Sequence, residues 1–485
     1  MNTKSRTSNP ITEGVIWKQL LIFFFPIMVG TLFQQLYNTV DAVIVGRFVG
    51  KQALASVGGS AAVLSNFVIG FFTGLSAGAS VIIAQFYGAK DEKNLNKGLH
   101  TAYAFSIIAS IFISIIGWFA TPGLLRLLKT PEDTIADSTL YLRIYFLGII
   151  FTLIYNMGSY IMRALGDSRR PLYYLIICCI LNIILDLVAV VGLGMGIAGA
   201  AIATVISQAV SAGLVSRALM KSYDMLRLKL RAIRIHPDLL RSEFRIGLPG
   251  GLQSCAYSIS NIIIQTAINN FGTDTAAAWA AFGKVDAIFW TITGSFGITI
   301  ATFAGQNYGA RKYDRIQRSV RVCLGMSLGL CGGLLIFLFT CCRPLYYAFT
   351  TDPNVVDIGV YMLRTIAPSY VIYIFVEIFS GALRHRRRAD PGMHYHGRRT
   401  DHPAVLDLIC HPHDRRTVDS AVQLSSGLGC YFAFAGALLL AKEETASIGD
   451  ARSPELKTIL HNRKAGAYQK RRLYVSPGSK RIFHP

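Results

Sequence analysis

Charge is scarce in this chain, and so are the residues that usually carry out chemistry. Charged side chains make up 15% of the 485 residues, against roughly 25% in soluble domains. Only His100 and His236 precede residue 385, and neither falls in the middle of an apolar run. The nine cysteines include no C-x-x-C pair, which removes a zinc or disulfide framework. Cys178, Cys179, Cys255, Cys323, Cys331, Cys341 and Cys342 lie in apolar text and read as small buried residues. With no nucleophile–base pair and no metal constellation, the chain reads as a non-enzyme without a cofactor. A G-x-G-x-x-G string does occur, at Gly194, Gly196 and Gly199. It joins two apolar segments and has no βαβ unit around it, so it reads as small residues letting helices approach, not as a dinucleotide site.

What the chain has is apolar length. Hydrophobic residues reach 52%. Stretches near 16–43, 53–82, 99–120, 136–161, 172–192, 194–216, 246–269, 279–305, 318–342 and 357–383 each approach or exceed the ~20 residues a helix needs to cross hydrocarbon. These ten predict an all-α polytopic membrane protein with the lipid bilayer as its solvent. The run after Trp17 is too long for a signal-peptide core and no small-residue cleavage site follows it, so the first span should be a retained anchor.

The formal net charge of +21 would point to nucleic acid in a soluble protein. Here the basic residues sit where membrane topology wants them. Lys90, Lys93 and Lys97 follow span two, Arg169 and Arg170 follow span four, and Arg311, Lys312, Arg315 and Arg318 follow span eight. The segment 217–245 adds Arg217, Lys221, Arg227, Lys229, Arg231, Arg234, Arg241 and Arg245. The positive-inside rule then puts these loops and the N-terminus in the cytoplasm. With no aromatic interleaving and no binding motif, nucleic acid is not an expected partner.

The chain also repeats itself. YLRIYFLGIIFTLIYNMGSYIMR at 141–163 overlays MLRTIAPSYVIYIFVEIFSGALR at 362–384 without a gap, and AQFYGAK at 84–90 pairs with GQNYGAR at 305–311. Both pairs are 221 residues apart, so the chain is internally duplicated. The reading is an N-terminal lobe over 1–216, a basic cytoplasmic linker over 217–245 and a C-terminal lobe over 246–384. Duplicated membrane bundles of this kind form a transport site between their two halves.

Ionisable groups inside spans are expensive, and three carboxylates qualify as pathway or coupling groups. Asp41 lies late in span one, Asp186 in span five, and Glu377 in span ten, where the repeat register pairs it with Asn156 of span four. Asn182 stands one helical turn before Asp186 on the same face. Each also has a structural reading: a helix cap for Asp41, an interhelical hydrogen bond for Asn182, a partner to Arg364 or Arg384 for Glu377. Asp286, beside Lys284, reads as the mouth of span eight. Tyr37, Phe289 and Trp290 are candidate walls of a cation-binding cavity by position.

The run FPIMVGTLFQQLYNTVDAVIVGRFVGKQALASVG, followed by AQFYGAK, RALGDSRRP, LNIILDLVAVVGLGMGIAGAAIATVISQ and GQNYGAR, resembles a bacterial multidrug and toxic compound extrusion (MATE) transporter of the DinF and NorM-like branches. The resemblance covers 12–384. It implies two six-helix lobes around a cleft open alternately to each side of the bacterial inner membrane. It also implies export of organic cations and amphipathic drugs in exchange for H⁺ or Na⁺. Matched to the family's motif, Asp41 and Asp186 are its acidic pair, Asn182 precedes the second acid, Thr204 is its span-six hydroxyl and Asn156 a further polar position. Asp41, Glu377, Tyr37 and Trp290 are then the expected substrate-cavity residues, and the protein is expected to be a monomer. The alternative within the wider superfamily is a lipid-linked oligosaccharide flippase, which would prefer a cationic cavity; the intramembrane acids disfavour it.

The resemblance stops after Arg384. Two further spans are expected there, but the text becomes HRRRADPGMHYHGRRTDHPAVLDLICHPHDRR, and eight of the ten histidines follow Arg384. A His-rich metal tail, with His394, His396, His402, His411 and His413 as ligands, is one reading. A slipped reading frame is the favoured one. Read one nucleotide later, codons for His385 to Pro391 permit Thr-Gly-Asp-Ala-Leu-Ile-Pro, which restores the family's turn. The apolar stretch Gly427 to Ala441 is too short for a comfortable crossing, and the basic text beyond it reads as disordered. Residues 385–485 are thus an aberrant tail, and the chain as written would be an incomplete transporter. Sequencing the coding DNA across the codons for Ala382 to Arg399 should reveal one inserted or deleted nucleotide near codon 384, with the alternative frame open through two apolar helices. Stop codons scattered through that frame would return the His-rich segment to consideration as a domain.

Overall fold

The computed structural model describes residues 9–223, 225–269 and 271–384; the predicted metal ligands and the tail from residue 385, read as out of frame, lie outside them. Among the described residues the elements are helices joined by short turns, with no strand. A short α1 (Pro10–Glu13) leads into α2 (Ile16–Phe48). Then come α3 (Lys51–Gly58), α4 (Ser60–Gly88), α5 (Glu92–Leu127), α6 (Glu132–Ala164), α7 (Arg169–Asp186) and α8 (Gly196–Lys221). The second half has α9 (Pro237–Asn269), α10 (Thr273–Gly309), α11 (Tyr313–Thr340), α12 (Cys342–Tyr347), α13 (Pro353–Ile366) and α14 (Ser369–Leu383).

The duplication extends to helix boundaries beyond the two sequence repeats. Starts at 16 and 237, 92 and 313, 132 and 353, and ends at 48 and 269, 88 and 309, are each 221 residues apart. The turns after α4 and α10 use the same device. Lys90 (φ 58°) and Arg311 (φ 59°) take the left-handed conformation, which costs a non-glycine residue about 1–2 kcal/mol, and both positions do so. The copies differ where α6 runs unbroken and its counterpart divides into α13 and α14, bent by 49°. Pro368 stands in that break, where its missing N–H and ring stop the helical ladder.

Ten spans are expected from the apolar runs. Eight of the described helices are long and apolar enough to cross a membrane, and the bent α13–α14 pair makes a ninth. α9, the equivalent of α2 at the 221-residue offset, forms over its full length but falls outside that count, its middle being rich in Gly, Ser and Gln. The linker is also less solvated than its charge implies. Leu226 and Leu228 are buried, and Arg227 N and Lys229 N donate to Asn96 Oδ1 and His100 Nε2 of α5 at 3.0 Å each. His236 Nδ1 meets Thr101 Oγ1 at 3.1 Å.

Each repeat lays its first helix on the second helix of the other. Phe24 of α2 stacks on Phe296 of α10 with centroids 4.0 Å apart, and Phe23 meets Phe303 edge-on. On the other diagonal α9 lies along α4 through glycines: Gly74 and Gly78 face Gly247, Gly250 and Gly251, and a Cβ at Gly78 would fall 2.7 Å from the Glu243 carbonyl oxygen. Lower down, the two repeat motifs close on each other. A Cβ at Gly88 would overlap the Gln306 carbonyl, and one at Gly309 the Gln85 carbonyl. α1 straps this end. Asn9 Nδ2 donates to Gln306 Oε1 (3.0 Å), Gln306 Nε2 to Ala164 O (2.7 Å), Lys312 Nζ to Thr12 O (3.0 Å) and Arg315 Nε to Ile11 O (3.1 Å).

A side chain at either clasp must push α4 away from α10. Gly88→Val and Gly309→Val should each lower thermal stability in detergent by the equivalent of about 1–3 kcal/mol. Gly213→Ala, where a Cβ meets nothing within 4 Å, should have little effect. Equal melting of all three variants would show that the close approach does not exist.

Candidate functional site

Asp41, Asn182, Asp186, Thr204 and Tyr37 converge inside the first repeat. α2 presents Tyr37 and Asp41 one turn apart on one face and packs against α7, whose last turns carry Asn182 and Asp186. Immediately after Asp186 the α-helix widens into a π-helical segment, Leu187–Gly192, a feature that concentrates at functional sites. Gly194 and Gly196, both with positive φ (64° and 57°), then turn the chain into α8. Gly199 allows close approach to Ala189. The G-x-G-x-x-G string is therefore a turn plus a packing contact.

Asn182 and Asp186 are fully buried, and Asp41 and Thr204 nearly so. The Asp41 and Asp186 carboxyls lie within hydrogen-bond reach of each other, and Tyr141 of α6 faces both. Thr204 Oγ1 donates to Ala200 O at 3.0 Å, so it is free to accept from the Tyr37 hydroxyl, which lies within reach. Asp41 Oδ1, both Asp186 carboxyl oxygens and both polar atoms of the Asn182 amide have no hydrogen-bond partner in the protein. Two carboxylates cannot hydrogen-bond as a pair of anions, since both only accept. One proton shared between them, or one small cation among the oxygens of Asp41, Asn182 and Asp186, would satisfy the cluster. Asp41 lies well before the C-terminus of α2, so it is not the helix cap its position could have meant.

Asn156 is half-buried on α6, the helix that also carries Tyr141. Glu377 and Trp290 lie in the second repeat, away from the acid pair's own helices. Glu377 Oε2 accepts from Tyr373 OH at 3.2 Å. Among the described residues Glu377 pairs with neither Arg364 nor Arg384, which removes its structural reading as an ion-pair partner. Phe289 is buried and stacks on Tyr370 at 4.3 Å.

Three residues escape the sequence reading. Tyr141 has no signal beyond its place in the repeat. Asp286 is not at a mouth; it lies well inside α10, where its carboxylate accepts from Trp290 Nε1 (2.6 Å) and from Tyr370 OH. Glu243 is buried with Oε1 unpartnered. It shares a helical face with Gly247, Gly250 and Gly251, and that glycine stripe is the signal that marks the position as facing another helix.

Comparison with known proteins agrees with this fold. The MatE family matches residues 26–188 and 249–397, the second match reaching past Arg384. The chain is 29% identical over 376 residues to the probable multidrug resistance protein YoeA of Bacillus subtilis (strain 168), covering 76% of this chain and 81% of that protein. It is 22% identical over 378 residues to the multidrug export protein MepA of Staphylococcus aureus (strain MSSA476), covering 77% and 82%. A MOP superfamily transporter from Pyrococcus furiosus has the same fold, with a TM-score of 0.73 at 22% identity over 80% of this chain and 86% of that one. The two-repeat helical fold and the family match together mean that the chain belongs to the MatE family of multidrug and toxic compound extrusion transporters.

Proposed function

We propose that the chain is built for secondary active efflux of organic cations and amphipathic drugs, by antiport with H⁺ or Na⁺ through alternating access. The observation that carries this reading is the set of buried polar atoms on Asp41, Asn182 and Asp186 that no protein group satisfies. Buried polar atoms are almost always paired, so a cluster of orphans built around two acids is best explained by a group that comes and goes. Binding there bears directly on α2 and α7, the helices that carry the acids, and α2 is also the helix that stacks on the other repeat through Phe23 and Phe24. The printed names of YoeA and MepA support drugs as the substrate class. The reading of a frame shift after Arg384 makes the chain as written weak or inactive, because a missing helix pair would leave backbone and polar faces open to lipid.

In a frame-restored chain, Asp41→Asn and Asp186→Asn should each abolish drug efflux against a gradient while leaving insertion intact. Efflux at the parent rate in both would sink the coupling role. Vesicles driven by a pH gradient or by a Na⁺ gradient, one at a time, separate the two ions.

The basic loops fix the expected topology. Reporter fusions at Lys93, Arg170, Lys229 and Arg315 should report cytoplasm, and fusions at Lys129 and Asp274 the outside. One reversed pair would require a different span count.

A further inference from the structure

The second repeat carries an acid that the coupling cluster does not use. Asp286 binds two donors at once, Trp290 Nε1 one turn along its own helix and Tyr370 OH from α14. A carboxylate holding an indole and a phenol together fixes both rings, because neither can rotate without giving up a charge-assisted hydrogen bond. Trp290 in turn meets Tyr373 edge-on at 4.5 Å and Tyr257 of α9 at 6.0 Å. Tyr373 donates to Glu377. A chain of contacts therefore runs from Asp286 through Trp290 and Tyr373 to the second carboxylate.

The backbone leaves room inside this chain. Trp290, Gly294 and Gly297 lie at i, i+4 and i+7, on one face of α10. Glu377 Oε1 occupies the place a Cβ would take at Gly297, which sets the carboxylate directly against the helix. Between that level and the indole stands Gly294, where a Cβ would meet no atom within 4 Å. The result is a hollow floored by glycine and bounded by the Trp290 indole, the Tyr373 ring and the Glu377 carboxylate. An aromatic face attracts a cation through its quadrupole, more strongly where water is excluded. A flat or quaternary organic cation, too large for the Asp41–Asp186 cluster, fits this chemistry.

We propose that Asp286 is a positioning residue for a cation-selecting hollow over Gly294, holding Trp290 where it and Tyr373 face a bulky organic cation paired with Glu377. The inference rests on the drug-efflux reading above and assigns it a substrate site separate from the ion cluster. Asp286 itself is turned away from the ligand and acts through the indole.

The test uses the full chain purified in detergent, with Trp17, Trp118 and Trp279 changed to Phe so that Trp290 is the one fluorophore. Ethidium is the flat cationic probe and tetraphenylphosphonium the competitor. Ethidium should quench Trp290, and tetraphenylphosphonium should reverse the quenching. Asp286→Ala should shift the Trp290 emission maximum and weaken ethidium binding about tenfold, the scale of a desolvated cation–π contact. Asp286→Asn, which still accepts from the indole, should restore most of both. Gly294→Val should block binding while leaving the emission maximum of the free protein in place. Glu377→Gln should weaken ethidium binding and spare an uncharged probe such as diphenylhexatriene. Parent-like affinity in Asp286→Ala, or a loss in Asp286→Asn as large as in Asp286→Ala, would overturn the positioning role. Normal binding in Gly294→Val would overturn the hollow. Asp186→Asn provides the distinction from the broader reading: it should stop efflux in the frame-restored chain while leaving quenching intact. Quenching without efflux in the frame-restored parent would sink the efflux reading and leave the hollow standing, whereas efflux without quenching would remove the hollow alone.

Discussion

The close approach of α4 to α9 and α10 through glycine is the constraint on which the remaining arrangement depends. In lipid the apolar effect does not drive one helix against another, so van der Waals fit and polar contacts decide which helices meet. Gly74 and Gly78 set the separation of α4 from α9, and Gly88 and Gly309 set the carbonyl-on-glycine clasp between α4 and α10. Because the clasp residues are equivalent in the two repeats, the halves close symmetrically. The aromatic α2–α10 seam on the opposite diagonal then has one register to adopt. α2 takes its position from that seam, and Asp41 takes its position from α2. Strapping by Asn9, Ile11 and Thr12 adds polar contacts at the one end where both clasps lie.

Much of this was legible from residues, and the exceptions have physical reasons. The 221-residue register read from two motifs also holds at helix ends outside them, at 16 and 237, 48 and 269, and 132 and 353, because a duplicated backbone preserves spacing longer than it preserves side chains. The acid pair was legible because a carboxylate in an apolar run is rare enough to stand out. Asp286 was not, since Lys284 two residues earlier makes the segment look wet; only the fold shows that the lysine is exposed and the aspartate turned toward Tyr370. The π-helical segment after Asp186 leaves no periodic mark, being a single widened turn. Asn156 and its repeat partner Glu377 differ in chemistry, and Glu377 accepts from Tyr373. Pro368 breaks the second copy where the first is continuous, so equal register does not mean equal surroundings. α9 shows the reverse case: a helix as long as α2 whose apolar character is diluted by Gly, Ser and Gln, with glycines along the face that meets α4.

The Asp41–Asp186 cluster and Asp286 stand in opposite electrostatic regimes. In the first, two carboxyls and an amide are buried with atoms left unpaired, a state that a low-dielectric interior penalises heavily until something binds. In the second, Asp286 has its donors in place, so it can hold rings rigidly without needing a ligand. An unsatisfied cluster is suited to a small ion whose arrival changes the energy of the site, and a satisfied one to a preorganised wall whose shape does the selecting. A duplicated protein can assign these tasks to different halves only if the halves feel each other. The Phe24–Phe296 stack provides that contact: α2 carries Asp41 some turns along from Phe24, and α10 carries Trp290 less than two turns from Phe296. Movement of α2 on ion binding therefore bears on the helix that supports the proposed hollow. A coupling of this kind requires that the stack have two stable arrangements, since a packed aromatic contact does not deform by degrees.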